Sequence, residues 1–283
     1  MQNININNLI TTQLIEQQVQ NALLEDVGQG DISAKLIDST RQVVASIICR
    51  EPIVLCGTRW VDAVFKSIDK TSKLNWYFSD GDSISANSKL CEVSGFAASL
   101  LTAERTALNF LQTLSATATT TQHYVNAIKD FPTKLLDTRK TIPGFRLSQK
   151  YAVHCGGGVN HRFGLYDAFL IKENHIKSCS SISNAVTGAR AIDSAKLIEV
   201  EVENFTELKE VMPLNIDVVM LDNFSIADMK TAIQMVNGKF KLEASGNINL
   251  DNIANVAATG VDFISVGAIT KNIQAIDLSM RII

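Results

Sequence analysis

The sequence lacks the features that would place it in a membrane, on a nucleic acid or in an oxidising compartment. No uninterrupted apolar run approaches the roughly 20 residues needed to span a bilayer. The N-terminal MQNININNLITTQ has no basic stretch followed by an apolar core, so no secretory signal is expected. Five cysteines, at 49, 56, 91, 155 and 179, are an odd number, and none falls in a CxxC or Cys/His ligand spacing. Small buried hydrophobes in a reduced, cytoplasmic setting are the expectation. An excess of one charge is missing too: 26 Lys+Arg against 29 Asp+Glu gives a formal net charge of -3. So balanced a chain has no global field for nucleic acid or a membrane surface, and any anion site must be a local concentration of cations.

What is present reads as a globular chain. It has 283 residues, 46% of them hydrophobic and 19% charged, enough for one large domain or two moderate ones with real cores. The texture changes near residue 113. Before it, strand-like runs (VVASIICR, KLNWYFS) lie between helix-like segments, with a turn signal at Asp80-Gly81, and Ser99 to Thr113 has the apolar spacing of a helix. From about residue 134 the pattern is regular. Strands are predicted at 134–138, 167–172, 197–202, 217–222, 240–245 and 262–267, with helices at 182–193, 205–211, 225–236 and 249–259. Ser181, Asn204 and Asn249 stand as N-caps.

Alternating β and α elements at this spacing form a parallel sheet, either open or a reduced βα barrel. The C-terminal ends of the predicted strands decide between the two. Nearly every one carries a polar residue or glycine: Asp137-Arg139-Lys140, Lys172, Glu201, Asp222, Ser245-Gly246 and Gly267. In a barrel these ends converge on one rim, whereas an open sheet concentrates chemistry at a switch point. The distribution favours an α/β fold with an incomplete, TIM-like barrel of about six parallel strands.

The chemistry concentrates in residues 137–172. Arg139, Lys140, Arg146, Lys150, Arg162 and Lys172 stand there against only Asp137 and Asp167, and His154 and His161 lie among them. A solvated basic face accounts for Lys150 and Arg146, but not for Lys172, which ends the apolar run AFLI at the barrel mouth. Arginine forks match carboxylates and phosphates, and lysine offers a point charge, so a mixed site suits a ligand carrying both groups. Glu201 and Asp222 end successive strands. They read either as ligands for Mg²⁺ held partly through water or as salt-bridge partners of Lys140 and Lys172. Ser245-Gly246-Asn247 and Ser265-Val266-Gly267 are βα loops of a kind that binds phosphate, and equally ordinary turn chemistry. Gly156-Gly157-Gly158 is a backbone cradle or a tight turn. Arg105, inside a helical stretch, reads on its own as a surface residue.

Taken together, LLEDVGQGDIS at 23–33, LLTAERTALNFLQ at 100–112, DTRKTIPGFR at 137–146, KYAVHCGGGVNHRFGLYDAFLIKENH at 150–175, IEVEVEN at 198–204, MLDN at 220–223, LEASGNI at 242–248 and TGVDFISVGAIT at 259–270 resemble the quinolinate phosphoribosyltransferase family. The resemblance spans nearly the whole chain. It implies an N-terminal α/β sandwich domain at 1–113, joined by the tail 272–283, and an incomplete α/β barrel at 114–271. It implies a homodimer with shared active sites. The implied reaction turns quinolinate and phosphoribosyl pyrophosphate, with Mg²⁺, into nicotinate mononucleotide, CO₂ and pyrophosphate, a step of de novo NAD biosynthesis. By motif match, Arg139, His161, Arg162 and Lys172 surround the quinolinate carboxylates, with Arg105 reaching in from the partner subunit. Lys140, Glu201 and Asp222 fall to phosphoribosyl pyrophosphate and its metal, and Ser245, Gly246, Asn247 and Gly267 to the 5′-phosphate. The chain departs from the family's usual pattern at Ser33 and within Ser115-Ala116-Thr117-Ala118-Thr119, outside the anion-binding residues.

Other readings compete: a paralogue of the same fold associated with molybdenum transport, an enzyme for another pyridine carboxylate, a silent module that binds phosphorylated metabolites, and a barrel aldolase using Lys172 as a Schiff-base amine. The coexistence of Lys140, Lys172, Glu201 and Asp222 argues against the module, and Schiff-base chemistry does not need the other cations.

Overall fold

A computed structural model describes residues 5–283; the first four residues of the predicted N-terminal domain lie outside the described residues. Contacts divide the chain into two compact units, one made of residues 5–122, 147–157 and 272–283, the other of residues 123–146 and 158–271. The sequence boundary near 113 falls in the same helix as this division. That helix, Ala97–Ala127, is longer than the predicted 99–113. No glycine or proline interrupts it, and the buried apolar series continues past residue 113 through Leu114, Ala116 and Ala118.

The first unit contains a four-stranded antiparallel sheet in the order Leu278–Ile282, Gln42–Cys49, Lys89–Phe96, Lys73–Trp76. The C-terminal tail is an edge strand here, with Ile47 opposite Met280. Helix Thr58–Ile68 buries Trp60, Val61, Val64 and Phe65, the one-sided spacing of an amphipathic helix. The Trp60 indole donates to Gln18 Oε1 of helix Thr12–Val27 at 2.8 Å, so its one polar atom is satisfied in the core. Asp80, at the predicted turn, is a hub: its carboxylate accepts the N–H groups of Gly57 and Thr58 and the Tyr151 hydroxyl.

The Ser115–Thr119 run is also a fastening. Ser115 and Thr119, one helical turn apart, accept the N–H groups of Cys56 (3.0 Å) and Val54 (2.8 Å). The unusual Thr117 is fully buried and donates to the Thr113 carbonyl of its own helix. Gly156 packs so tightly that a Cβ would stand 2.3 Å from the Ala118 carbonyl oxygen. Of the two readings of the triple glycine, this makes its first member a close-packing residue. All five thiols are free; the expectation of burial holds at Cys49, Cys56 and Cys91, is half met at Cys155 and fails at Cys179, exposed at the end of helix Glu173–Cys179.

The second unit is the barrel. Its six parallel strands lie in the order Lys134–Leu136, Phe263–Ser265, Lys241–Ser245, Val218–Asp222, Ile198–Val202, Phe169–Ile171. Every sheet neighbour except the last-to-first pair is also a neighbour in the chain, the order of a barrel. No ladder joins Lys134–Leu136 to Phe169–Ile171, so the barrel is incomplete; a single parallel bridge, Leu136 to Val159, extends one edge. Ser181 and Asn204 cap helices Ile182–Ile192 and Phe205–Val211 as predicted. Asn249 does not cap: its side chain accepts from Asp251 N–H within a turn, and helix Ile253–Ala257 starts later. Among the described residues no helix is long and apolar enough to cross a membrane.

Ser115→Ala leaves the buried Cys56 N–H without its acceptor and should destabilise the fold by about 1–3 kcal/mol. Thr117→Val, which removes only a bond within a helix, should cost less. Urea unfolding of both variants measures the difference, and equal midpoints would deny Ser115 its role.

Candidate active site

Inward-facing residues recur every second position along a strand. At the C-terminal ends of the barrel strands this period stacks two layers. Glu199 and Glu201 share a face, as do Met220 and Asp222, Glu243 and Ser245, and Phe263 and Ser265. The register sets Glu201 beside Met220, and Ser245 beside Asp222. In the upper layer Glu201, Asp222 and Ser245 line a cavity of about 420 Å³, joined by Thr138, Arg139, Lys140, His161, Arg162 and Lys172. The volume suits a small ligand.

The cavity's cations are held by carboxylates that never reach it. Asp137 is fully buried; it accepts the His161 N–H at 2.8 Å and the Asn160 amide at 2.7 Å. Asp167 accepts the N–H groups of Phe163 and Gly164 at 2.7 and 2.8 Å. Both acids of the basic segment therefore fasten its backbone, and the charge of Asp167 also acts on Arg162. Arg162 reaches the Ala168 carbonyl at 3.3 Å. Burial, and then the nearby Arg139 guanidinium, pull Arg162 below its ordinary value, the signature of cations crowded out of water. Arg139 Nε is buried and has no hydrogen-bond partner among the described residues. Lys172 and Glu201 form an ion pair at the mouth, and Asp222 accepts from the Asn223 amide at 2.8 Å.

At the cavity floor lies a lower, acidic layer, of which Glu243 is part of the lining. Glu199 and Glu243 are 1% and 0% exposed. His161 Nε2 stands 2.8 Å from Glu199 and 3.5 Å from Glu243. Burial first, then the charge of Glu199, pushes Glu243 up to about 8.

Both halves of the chain match known sequence families. Residues 31–115 match the N-terminal domain of quinolinate phosphoribosyl transferase, and residues 117–281 its C-terminal domain. The chain belongs to the quinolinate phosphoribosyltransferase family. It is 38% identical over 274 residues to a probable nicotinate-nucleotide pyrophosphorylase [carboxylating] of Synechocystis, covering 95% of this chain and 93% of that one. It is 36% identical over 269 residues to the probable Bacillus subtilis counterpart, with the same coverage. The solved structure of the nicotinate-nucleotide pyrophosphorylase from Francisella tularensis shares 50% identity and a TM-score of 0.97, covering 100% of both chains.

Eight of the residues that the family resemblance singles out line one cavity: Arg139, Lys140, His161, Arg162, Lys172, Glu201, Asp222 and Ser245. Gly267 lies beside it, since a Cβ there would stand 2.8 Å from Lys140 Cδ. Gly246 and Asn247 form a left-handed turn against Asn223: Gly246 has φ +97°, and a Cβ on it would meet Asn223 Oδ1 at 2.2 Å. That turn precedes no helix directly, because helix Ile253–Ala257 is the next one. Arg105 belongs to the other unit, exposed on helix Ala97–Ala127. Lys150, read from the sequence as solvated, is fully buried in helix Arg146–Cys155. Arg146 is a structural tie, donating to Thr141 Oγ1 and the Phe163 carbonyl. Sequence reasoning passed over Glu199 and Glu243. The signal was available: each is a charge inside an apolar strand, two residues before a predicted site residue.

A carboxyl raised from its ordinary 4.5 to about 8 makes a signed prediction for stability. Between these values the folded chain binds a proton that the unfolded chain has released, so this group's contribution is complete below about pH 4.5 and is lost as pH rises through about 8. Glu243→Gln, a neutral isostere, should flatten the decline in stability between pH 5 and 8. Melting temperatures across that range test it, and an unchanged slope in the variant would assign the decline to other groups.

Proposed function

We propose that the barrel cavity condenses quinolinate with phosphoribosyl pyrophosphate, giving nicotinate mononucleotide, CO₂ and pyrophosphate in de novo NAD biosynthesis, and that the chain works as a cytoplasmic homodimer with shared active sites. The observation that carries the reading is the buried, unpartnered Nε of Arg139 beside a second half-buried guanidinium, Arg162. Two like charges crowded this way call for an anion, and forks of this geometry suit a planar dicarboxylate. Lys172 is engaged by Glu201 at the mouth, and Schiff-base chemistry has no use for the other cations that line the cavity.

Arg139 and Arg162 orient the dicarboxylate so that the pyridine nitrogen meets the ribose carbon in line. Lys140, exposed at the mouth, neutralises charge as pyrophosphate departs. Its backbone is fixed for this: its N–H donates to Thr138 Oγ1 at 3.0 Å, and its carbonyl accepts from Thr270 Oγ1 at 2.8 Å. Glu201 and Asp222 fit a hard divalent ion. Each is a carboxylate at the cavity rim with one oxygen engaged by a neighbouring side chain, and the two together would hold Mg²⁺. Mg²⁺ bound there supplies further charge neutralisation for the leaving pyrophosphate. Once ribosylated, the ring nitrogen is cationic and stabilises the carbanion left by CO₂, so the substrate provides its own electron sink. Ser245, Gly246, Asn247 and Gly267 are assigned to the 5′-phosphate.

Incubation with quinolinate, phosphoribosyl pyrophosphate and Mg²⁺ should release CO₂ and pyrophosphate in equal amounts, and release of neither refutes the reading. Lys140→Ala should lower kcat about 10²–10³-fold, the usual effect of removing one preorganised charge-stabilising group. A variant within a few-fold of wild type would remove Lys140 from the leaving-group site.

Arg105 tests the shared site. Arg105→Ala and Lys172→Ala homodimers should each be inactive, since both sites of each lack one cation. In a mixed dimer with trans sites, one site collects both defects and the other neither. With random pairing, roughly a quarter of wild-type activity should return, as twofold symmetry requires. Verified heterodimers without recovery would place Arg105 outside the partner's site.

A further inference from the structure

The first unit holds a cavity that the phosphoribosyl transfer described above does not use. It lies between helices Thr12–Val27 and Thr58–Ile68 and, at about 560 Å³, is larger than the barrel cavity of about 420 Å³. Every residue that lines it belongs to the first unit. The lining falls at positions 12, 15, 16 and 20 of one helix and at 59, 62, 63 and 66 of the other, the three-and-four spacing of a single helix face. The Trp60 indole donates to Gln18 Oε1, which fixes how the helices run. The lining stops at Gln20 on the first helix yet continues to Lys70, past the end of the second, so the two are antiparallel. Thr12 therefore falls at the end of the groove that holds Lys66, Ser67 and Lys70, and Gln20 at the end that holds Arg59.

The charges in this groove are not spent on the fold. Among the described residues, none of Arg59, Lys66 and Lys70 forms an ion pair or a side-chain hydrogen bond. Lys66 stands in the last turn of its helix, where the peptide dipoles favour a cation. Arg59 stands in the first turn, where they repel one, so helix stability does not account for it. Asp62, half-buried between them, accepts the Trp76 indole N–H on Oδ1 at 2.9 Å, and its Oδ2 is open to a second donor. Arg59 and Lys66 are seven residues apart, about 10 Å along the helix. Phosphate by itself does not match this set, because the Glu16 and Asp62 carboxylates would repel it. A ligand with phosphates at one end and an amino-bearing ring at the other matches every part. We infer that the groove binds a nucleoside di- or triphosphate whose base carries an amino group. Lys66 and Lys70 take the phosphates, with the hydroxyls of Ser67 and Thr12 beside them. Asp62 accepts from the amino group, and Arg59 lies against the base, since a guanidinium stacks on a ring face. A volume of this size suits such a ligand.

Titration of the full chain with ATP tests this, by equilibrium dialysis and by tryptophan emission, because the Trp76 indole is bonded to Asp62 at the groove. Binding should saturate and the emission should change with it. Lys66→Gln and Asp62→Asn, one at each end of the ligand, should each raise the Kd for ATP about tenfold, the worth of one charge-assisted hydrogen bond. Both keep the size of the side chain, and unchanged melting temperatures show that they fold; Lys70→Gln, on an exposed side chain past the helix, serves in place of a variant that does not. Lys140→Ala, in the barrel cavity, should leave the Kd unchanged. Tripolyphosphate, which has the charge but no base, should bind about tenfold more weakly than ATP and be indifferent to Asp62→Asn. No saturable binding by dialysis up to about 5 mM ATP overturns the proposal. So does a Kd that moves in Lys140→Ala but not in Lys66→Gln, or tripolyphosphate binding as tightly as ATP. None of these measurements needs quinolinate turnover, so the groove and the barrel reading fail or stand separately.

Discussion

Two guanidiniums, those of Arg139 and Arg162, face one cavity, and much of the barrel mouth is arranged to keep them there. Like charges half withdrawn from water separate unless something holds them. Covalent and hydrogen-bonded ties provide the restraint. Asp137 fastens the backbone of His161, and Asp167 fastens Phe163 and Gly164 on the other side of Arg162. Both acids are buried and accept backbone N–H groups. The unpartnered Nε of Arg139 is the residue of that arrangement, a donor waiting for an anion.

Beneath the cations the strand period supplies the opposite charge in a controlled dose. Glu201 and Asp222 lie in the upper layer, within reach of ligand, while Glu199 and Glu243 lie two residues deeper on their strands. The two layers differ in solvent access, and that difference separates their chemistry. The upper pair stands where a ligand can reach it. A carboxylate pair without water retains a proton. One alternation of side chains therefore builds an anion site above and a buried acidic floor below.

The sandwich-type unit owes its integrity to different physics. There the tail strand Leu278–Ile282 closes one edge of an antiparallel sheet, and Ser115 and Thr119 satisfy the N–H groups of Cys56 and Val54. The departures from the family pattern at Ala116 and Thr117 fit this packing: Ala116 is buried, and Thr117 turns its hydroxyl to its own helix. Ser33 stands before the short 3₁₀ turn Ala34–Leu36, its N–H accepted by Asp31.

The sequence by itself determined the succession of strands and helices in the barrel, because apolar runs of strand length and polar caps are local signals: Ser181 and Asn204 cap the helices that their positions announce. It also determined that the strand ends carry Arg139, Lys140, Lys172, Glu201 and Asp222, since a residue that ends an apolar strand has its place fixed by the strand. Only the tertiary structure decided the rest. Lys150 looks solvated in the sequence and is buried, Gly156 reads as either a ligand cradle or a tight turn and packs against Ala118, and Glu243, which drew no notice in the sequence, is fully buried in a cluster with Glu199 and His161. In each case the deciding neighbour lies far away in the chain, as Glu199 and His161 do from Glu243. Burial and charge coupling depend on which distant segments meet, and no local pattern encodes that meeting.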